Sequence, residues 1–174
     1  MSDDQAPLFA SRPEPMPFLA WAVENARFYH HGQVDKIGEP YIGHPARVAE
    51  ACRRAGFGDE VVAAAWLHDT VEDTDMSLDA IRAACPASVV EAVDALTKRK
   101  GEPFAAYYER VKANPIATAV KWFDVADNAD PRRLAKVAPD TQDRLRAKYE
   151  RAKAILVGPM QPADQPVLDA DGPS

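Results

Sequence analysis

Apolar residues recur at helical spacing along most of the chain. In residues 17–31, three- and four-residue spacing along one face connects the apolar residues Phe18, Trp21, Ala22, Ala26 and Tyr29. No stretch shows the period of two that is typical of a half-buried strand. The pattern predicts an all-α fold, a compact bundle of about eight helices. The predicted helices cover 17–31, 45–55, 59 into the HDTVED stretch, 77–84, a helix opening at Pro86, 103–113, 115–129 and 140–156.

Both ends of the chain differ in composition from the middle. Of the 15 prolines, eight lie within residues 1–17 and 158–174, together with Asp, Gln, Ser and Gly. Polar, proline-rich sequence buries too little apolar surface to offset its ordering entropy. We expect a flexible N-terminal tail at 1–16, one folded domain at 17–157, and a flexible Pro-rich C-terminal tail at 158–174.

The charge of the chain narrows the range of partners. The formal net charge is −6 at pH 7, which argues against general binding to nucleic acid or anionic membranes. An anionic small molecule is compatible with it, because a metal ion and a few cations reverse the field inside one cleft. The first residues lack a signal-peptide pattern, and no apolar run approaches the roughly 20 residues of a membrane span. We expect a cytoplasmic protein, whereas its oligomeric state is not predicted.

Residues 66–74, WLHDTVEDT, place four ionisable side chains at the end of an apolar stretch: His68, Asp69, Glu72 and Asp73. On a continuous helix the first three would share one rim. Burying so much charge is costly unless a divalent metal offsets it. The alternative is an acidic helix end exposed to water, which the helix dipole disfavours. Metal binding or catalysis is therefore the favoured interpretation.

Candidate partners for this stretch lie far away in the sequence. His44 precedes Pro45 at the start of the second predicted helix, where the proline fixes the direction of the chain. In the late helix, Asp124 and Asn128 are four residues apart and share a face with Lys121. The apolar and aromatic residues between them argue against a fully exposed face.

The motifs HxGQ, GEPYIxHP, LHDTVEDT, LTK and VKxxDxxxN occur in this order over about residues 26–133. This pattern resembles the hydrolase domain of the RelA/SpoT alarmone family, a branch of the HD-domain metal-dependent phosphohydrolases. The resemblance implies an HD-domain helical bundle with one divalent metal ion, usually Mn²⁺. It also implies removal of the 3′-pyrophosphate from guanosine-3′,5′-bis(diphosphate), (p)ppGpp. The family's metal ligands correspond to His44, His68, Asp69 and Asp124.

The same resemblance assigns the catalytic water to Glu72 and Asp73, and the substrate-facing position to Asn128. A bound ion would acidify that water and polarise a phosphoryl oxygen. Tyr41 could stack on a base or pack under the loop. Cations should meet the phosphates. Lys36, in the loop before GEPY, is the best placed, and the weaker candidates are Lys121, Arg132 and Arg133.

The chain departs from the family pattern on the side that recognises the base. Asp35 stands where the family carries an arginine that lies against guanine. The family's late motif Lys-Leu-Ala-Asp-Arg-Leu-His-Asn reads KWFDVADN at 121–128, so an arginine and a histidine are lost. Two alternatives to (p)ppGpp hydrolysis therefore stay open. One is an HD phosphohydrolase acting on another phosphorylated nucleotide, such as NADPH or a 3′-phosphonucleotide, and the other is a catalytically silent nucleotide-binding scaffold.

Overall fold

The computed structural model describes residues 16–156. Apart from Met16, the predicted tails at 1–16 and 158–174 lie outside the described residues. Within them the fold is all-α, as predicted, with ten helical segments and no β-strand. The helices are α1 (Phe18–Tyr29), α2 (Gly43–Arg54), α3 (Asp59–Leu67), α4 (Thr70–Asp73), α5 (Leu78–Ala84), α6 (Ala87–Leu96), α7 (Phe104–Lys112), α8 (Pro115–Asn128), α9 (Pro131–Leu134) and α10 (Pro139–Leu156).

Helix α3 runs through the centre of the bundle. It packs against α1, α2, α6 and α8, and its residues 62–65 and Leu67 are buried. Because other helices surround α3, its apolar residues do not form a single stripe. Its three consecutive alanines are small enough to let these neighbours approach closely. Helix α8 packs against α2, α3, α6, α7 and α10. The helices that carry the predicted metal ligands therefore pack directly against one another.

The predicted third helix is interrupted in the middle of the HD motif. Helix α3 ends at Leu67, and α4 begins at Thr70. At the break, the His68 ring lies 2.7 Å from the Ala65 carbonyl oxygen through Nδ1, and the Thr70 hydroxyl donates to Leu67 O at 2.8 Å. Side chains thus bind carbonyls at the C-terminus of α3 and stop its continuation. The expectation that His68, Asp69 and Glu72 lie on one continuous helix was wrong, although they remain close together.

Helix ends follow local sequence signals in several places. Ser77 caps α5, because its hydroxyl accepts the Ala80 N–H at 3.2 Å. Gly56 follows α2 at φ +84° and donates its N–H to Arg53 O, as glycines that end helices commonly do. Helix α2 begins at Gly43, two residues before the predicted Pro45. His44 is therefore part of a first helical turn.

Residues 30–42 form the loop between α1 and α2. An isolated antiparallel bridge joins Val34 to Pro40 and closes this loop on itself. His30 is buried, and its Nδ1 lies 2.7 Å from Gln33 Oε1. Gln33 in turn donates to Asp73 O at 3.2 Å, which ties the loop to α4. Within residues 16–156, no helix is long and apolar enough to cross a membrane.

Candidate metal centre

Four predicted ligands come together from three parts of the fold. His44 lies in the first turn of α2, His68 and Asp69 at the α3–α4 break, and Asp124 on α8. His44 Nε2 is 3.0 Å from Asp124 Oδ1 and 3.8 Å from Asp69 Oδ2. His68 Nε2 is 3.0 Å from Asp69 Oδ2 and 3.8 Å from Asp124 Oδ1. Two nitrogens and two oxygens at this separation have the spacing of ligands about 2 Å from one divalent ion.

The imidazole rings are held so that Nε2 of each faces this cluster. His44 Nδ1 lies 2.8 Å from Asp127 Oδ2, and His68 Nδ1 lies 2.7 Å from Ala65 O. An acceptor at Nδ1 places the proton there and leaves the Nε2 lone pair for a metal. His68 Nε2 is buried and has no aligned hydrogen-bond partner, although Asp69 is near. An orphaned buried nitrogen of this kind fits a metal ligand. His44, His68 and Asp124 thus form a site that could hold a metal ion.

Asp127 is a site residue that the sequence interpretation passed over. Besides His44, it binds Arg47, whose Nε donates to Oδ1 at 2.7 Å and whose Nη2 donates to Oδ2 at 3.0 Å. Burial alone would raise the pKa of Asp127, but hydrogen bonds from His44 and Arg47 lower it to about 2. Asp127 lies three residues after Asp124 on the same helix, and this spacing is the sequence signal that could have placed it beside the site.

Two predicted substrate contacts lie against Asp124, one of the predicted metal ligands. Lys121 Nζ lies 2.7 Å from Asp124 Oδ2, and Asn128 Nδ2 donates to Asp124 Oδ1 at 2.6 Å. Both residues also line the cavity described below. Phe123 turns away from the centre and packs edge-on against Phe57, with 6.2 Å between ring centroids. The bulky residue beside the ligand therefore does not obstruct the site.

Tyr41 lines the cavity and contacts one of the predicted metal ligands. Its hydroxyl donates to Asp69 Oδ2, and its ring lies 4.9 Å from that of His30. Burial and the nearby carboxylates Asp69, Asp73 and Asp124 raise the pKa of Tyr41, so the hydroxyl keeps its proton. It acts here as a donor to a predicted metal ligand.

The charges of the cluster are strongly coupled. Burial opposes ionisation of Asp124, but Lys121 and the two histidines hold its pKa well below its usual range. Asp69 behaves in the same way, with His68 as the main stabilising charge. Burial alone would lower the pKa of His44, but Asp124, Asp127 and Asp69 raise it to about 9. Without a metal, protons on the histidines balance the carboxylates.

Glu72 and Asp73 extend from α4 next to the ligands. Glu72 Oε2 accepts the backbone N–H of Lys98 at 2.8 Å, which anchors it to the loop after α6. Burial, with the charges of Asp69 and Glu72, raises the pKa of Asp73. Both side chains line the same cavity as Asp69 and Asp124.

The cavity has a volume of about 490 Å³ and brings charged and apolar walls together. Carboxylates and His44 form the wall nearest the predicted ligands. Val34, Ile37 and Tyr149 contribute apolar and aromatic surface. Arg132, one of the weaker phosphate candidates, is exposed outside this lining and pairs with Asp130 at 2.8 Å. The cationic residues of the lining are Lys36, Lys121, Arg133 and Lys148.

Comparison with known proteins identifies the family. A family model described as HD domain matches residues 22–121, more than half of the chain. The chain belongs to the HD-domain family. It is 35% identical over 127 residues to a probable guanosine-3′,5′-bis(diphosphate) 3′-pyrophosphohydrolase of Synechocystis, an alignment covering 67% of the chain. An Aquifex aeolicus protein named guanosine-3′,5′-bis(diphosphate) 3′-pyrophosphohydrolase is 36% identical over 98 residues, or 56% of the chain.

The HD-domain chain matches only 16% and 14% of the lengths of these two relatives. Among solved structures, a metazoan ortholog of SpoT described as hydrolysing ppGpp superposes with a TM-score of 0.70. That match covers 84% of this chain and 89% of the other at 23% identity, and it supports the all-α HD fold. The resemblance predicted from the sequence is confirmed.

The loop at Asp35 departs from the family pattern in a defined way. Asp35 Oδ1 accepts the backbone N–H groups of Ile37 and Glu39, both at 3.0 Å. Its Oδ2 accepts from Arg133 Nη2 at 2.8 Å, so an arginine from α9 reaches the loop that carries aspartate here. Burial opposes ionisation, but Arg133 and these amides lower the pKa of Asp35. The HD-domain chain thus uses Asp35 to build the loop.

Proposed function

We propose that this HD-domain chain is a metal-dependent phosphohydrolase that removes the 3′-pyrophosphate of (p)ppGpp. The observation that carries the proposal is the convergence of His44, His68, Asp69 and Asp124 beside an acidic pair in a cavity of nucleotide size. The names of the Synechocystis and Aquifex aeolicus relatives supply the substrate and the reaction. The mixed nitrogen and oxygen ligands are compatible with Mn²⁺ as the ion.

The roles of the side chains follow from their placement. When bound, the divalent ion would supply Lewis acidity toward a phosphoryl oxygen and toward water. Burial and the neighbouring carboxylates raise the pKa of Asp73, which makes it a better proton acceptor for a water molecule than an ordinary aspartate. Glu72 is fixed by the Lys98 amide and can orient that water. Lys121 and Asn128 hold Asp124 while presenting the same face to the cavity.

A second substrate within the same chemistry is favoured by one observation. Asp35 is bound to Arg133 and two backbone amides, so the loop offers no arginine to guanine. A phosphorylated nucleotide with another base, such as NADPH, does not depend on an arginine that contacts guanine, so Asp35 would not weaken its binding. Hydrolysis at the metal is therefore common to both candidates, whereas the base is what separates them.

Pyrophosphate release from ppGpp in the presence of Mn²⁺ tests the proposal. We expect turnover in the purified chain. In Asp69→Ala the turnover should fall by at least about a hundredfold, because losing a metal ligand should reduce activity at least as much as losing a residue that supports a ligand. Asp143→Ala, an exposed carboxylate on α10, is the matched control and should retain activity. Inactivity on ppGpp with release of phosphate from NADPH would transfer the proposal to the second substrate. Failure to bind any divalent ion would refute both.

A further inference from the structure

Arg110 on α7 is bonded through every donor of its guanidinium group. Its Nη1 donates to the carbonyl oxygens of Asp94 and Ala95, at 2.7 and 2.9 Å. Its Nη2 donates to Thr97 O at 3.0 Å. Nε and Nη2 also donate to the Glu102 carboxylate, at 3.1 and 2.7 Å. All five N–H groups of the arginine are thus used, and the side chain is only 20% exposed.

The two carbonyls bound by Nη1 are those that a longer α6 would use. In a continued helix, the amide of Lys98 would donate to Asp94 O, and the amide of Arg99 would donate to Ala95 O. Helix α6 ends before either of these bonds can form, and Arg110 supplies the donors that the two carbonyls would otherwise lack. The amides of Lys98 and Arg99 are therefore free to bind other acceptors.

Those acceptors are two carboxylates. The Lys98 N–H donates to Glu72 Oε2 at 2.8 Å, and the amide that follows it donates to Glu102 Oε2 at 3.0 Å. Because Glu102 also binds Arg110, the loop between α6 and α7 closes on the same guanidinium group. Within residues 16–156, the Glu72 carboxylate has no other hydrogen-bond partner. The orientation of Glu72 at the candidate metal centre therefore depends on where this loop holds the Lys98 amide.

We propose that Arg110 is a positioning residue, which fixes Glu72 beside the predicted metal ligands by holding the loop between α6 and α7. This role rests on the proposed function, in which Glu72 orients the attacking water. Among the described residues, those that line the cavity do not include Arg110, so it acts through the loop and not on the substrate. Lysine cannot replace it, because an ammonium group has three donors and lacks the planar fork.

Hydrogen exchange at the Lys98 amide tests this role without metal or substrate. In Arg110→Lys, we expect exchange at this amide, followed by NMR, to accelerate at least about tenfold more than at the amides of α3, which report on unfolding of the whole domain. Glu72→Ala should accelerate it as well, because it removes the acceptor. Arg82→Lys, an exposed arginine on α5 paired with Asp79 on the same helix, is the matched control and should leave it unchanged.

Turnover tests whether the position of Glu72 matters for the reaction. We expect kcat for ppGpp to fall about 10- to 100-fold in Arg110→Lys, as misplaced catalytic groups cause, while the Mn²⁺ Kd stays within about twofold. In a Glu72→Gln chain, the same change should lower kcat by less than about a further twofold, since Arg110 acts through Glu72. Losses that multiply in the double variant, or unchanged Lys98 exchange in Arg110→Lys, would overturn the role.

The two measurements separate this role from the proposed function. A chain with Arg110-dependent protection of the Lys98 amide that hydrolyses no ppGpp loses only the proposed function. A chain that hydrolyses ppGpp without this protection loses only the role of Arg110. If Arg110→Lys does not fold, Glu102→Gln takes its place, because it keeps the guanidinium group and removes the carboxylate that closes the loop. It should accelerate Lys98 exchange at least about threefold, and an unchanged rate would again overturn the role.

Discussion

At the scale of single residues, Asp127 determines how His44 is presented. Its Oδ2 lies 2.8 Å from His44 Nδ1, and Arg47 holds the same carboxylate with two hydrogen bonds. A carboxylate behind a histidine ligand fixes the tautomer and raises the basicity of the nitrogen that faces the metal. The family pattern has histidine at this position, whereas this chain has Asp127, whose carboxylate contacts His44.

Asp127→Asn should weaken Mn²⁺ binding by about 10- to 100-fold, because the amide can present its NH₂ group to His44 and Arg47 and no longer fixes the ring. Titration with Mn²⁺ measures the change, and circular dichroism checks that the helices persist. Asp143→Asn, a similar change on an exposed part of α10, should leave the Mn²⁺ Kd unaltered. An unchanged Kd in Asp127→Asn would show that Asp127 has no part in holding the ligand.

At the scale of elements, the loop between α1 and α2 is joined to α9 by a partly buried ion pair. Arg133 contacts Asp35 at 2.8 Å, and Glu39 in the same loop contacts Lys136 at 2.7 Å. The loop carries Lys36 and Tyr41, so its position sets both the rim of the cavity and the donor to Asp69. Restoring the family's arginine at residue 35 would place it against Arg133.

We expect Asp35→Arg to destabilise the chain by about 2 kcal/mol, because two backbone amides and one guanidinium lose their acceptor. This corresponds to a fall of roughly 4–8 °C in Tm for a chain of this size, measured by thermal unfolding. Asp35→Asn keeps an acceptor oxygen and loses only the charge, so its Tm should fall less. A gain in ppGpp turnover in Asp35→Arg, with Tm unchanged, would mean instead that residue 35 faces the base.

Local sequence signals predicted much of this architecture. Pro115 and Ser77 mark helix starts, because a proline or a capping serine affects only the first turn of the helix that follows it. His44 and Asp124 could be identified because they lie in distinctive motifs. The break after Leu67 could not be predicted, since it depends on side chains binding carbonyls that a regular helix leaves unpaired at its end. The Asp35–Arg133 pair joins residues 98 positions apart, and no pattern of local spacing reveals such a contact.

At the scale of the whole molecule, the net charge of −6 does not reveal that one cavity is lined by both acidic and basic side chains. Acidic side chains converge at the predicted metal ligands, and Lys36 and Lys148, which have no ion pair within residues 16–156, line the same cavity. The composition argues against broad binding to nucleic acid or anionic membranes, but it gives no information on the local field that a single nucleotide would meet. That field depends on how helices distant in sequence pack together.

The coupling of the two histidines to this field makes metal affinity depend on pH. Burial would lower the pKa of His44, but Asp124, Asp127 and Asp69 raise it from 6.5 to about 9, and the pKa of His68 is also raised. A raised pKa means that the protonated form stabilises the metal-free chain fully below about pH 6.5. For His44, that stabilisation is lost as the pH rises toward 9, at up to about 1.4 kcal/mol per pH unit.

Metal binding should show the opposite trend, because a divalent ion must displace the proton from His44. Between pH 6.5 and 8.5 we expect Mn²⁺ affinity to rise at least about tenfold per pH unit, while the unfolding free energy in EDTA falls. Calorimetric titration in buffers of different ionisation enthalpy counts the protons released, and urea unfolding measures the stability. In His44→Gln, Mn²⁺ binding should release one proton fewer. Both the Mn²⁺ affinity and the unfolding free energy in EDTA should then depend less steeply on pH. If Mn²⁺ affinity were constant across this interval, His44 would already be neutral in the metal-free chain, and the carboxylates around it would not be holding its proton.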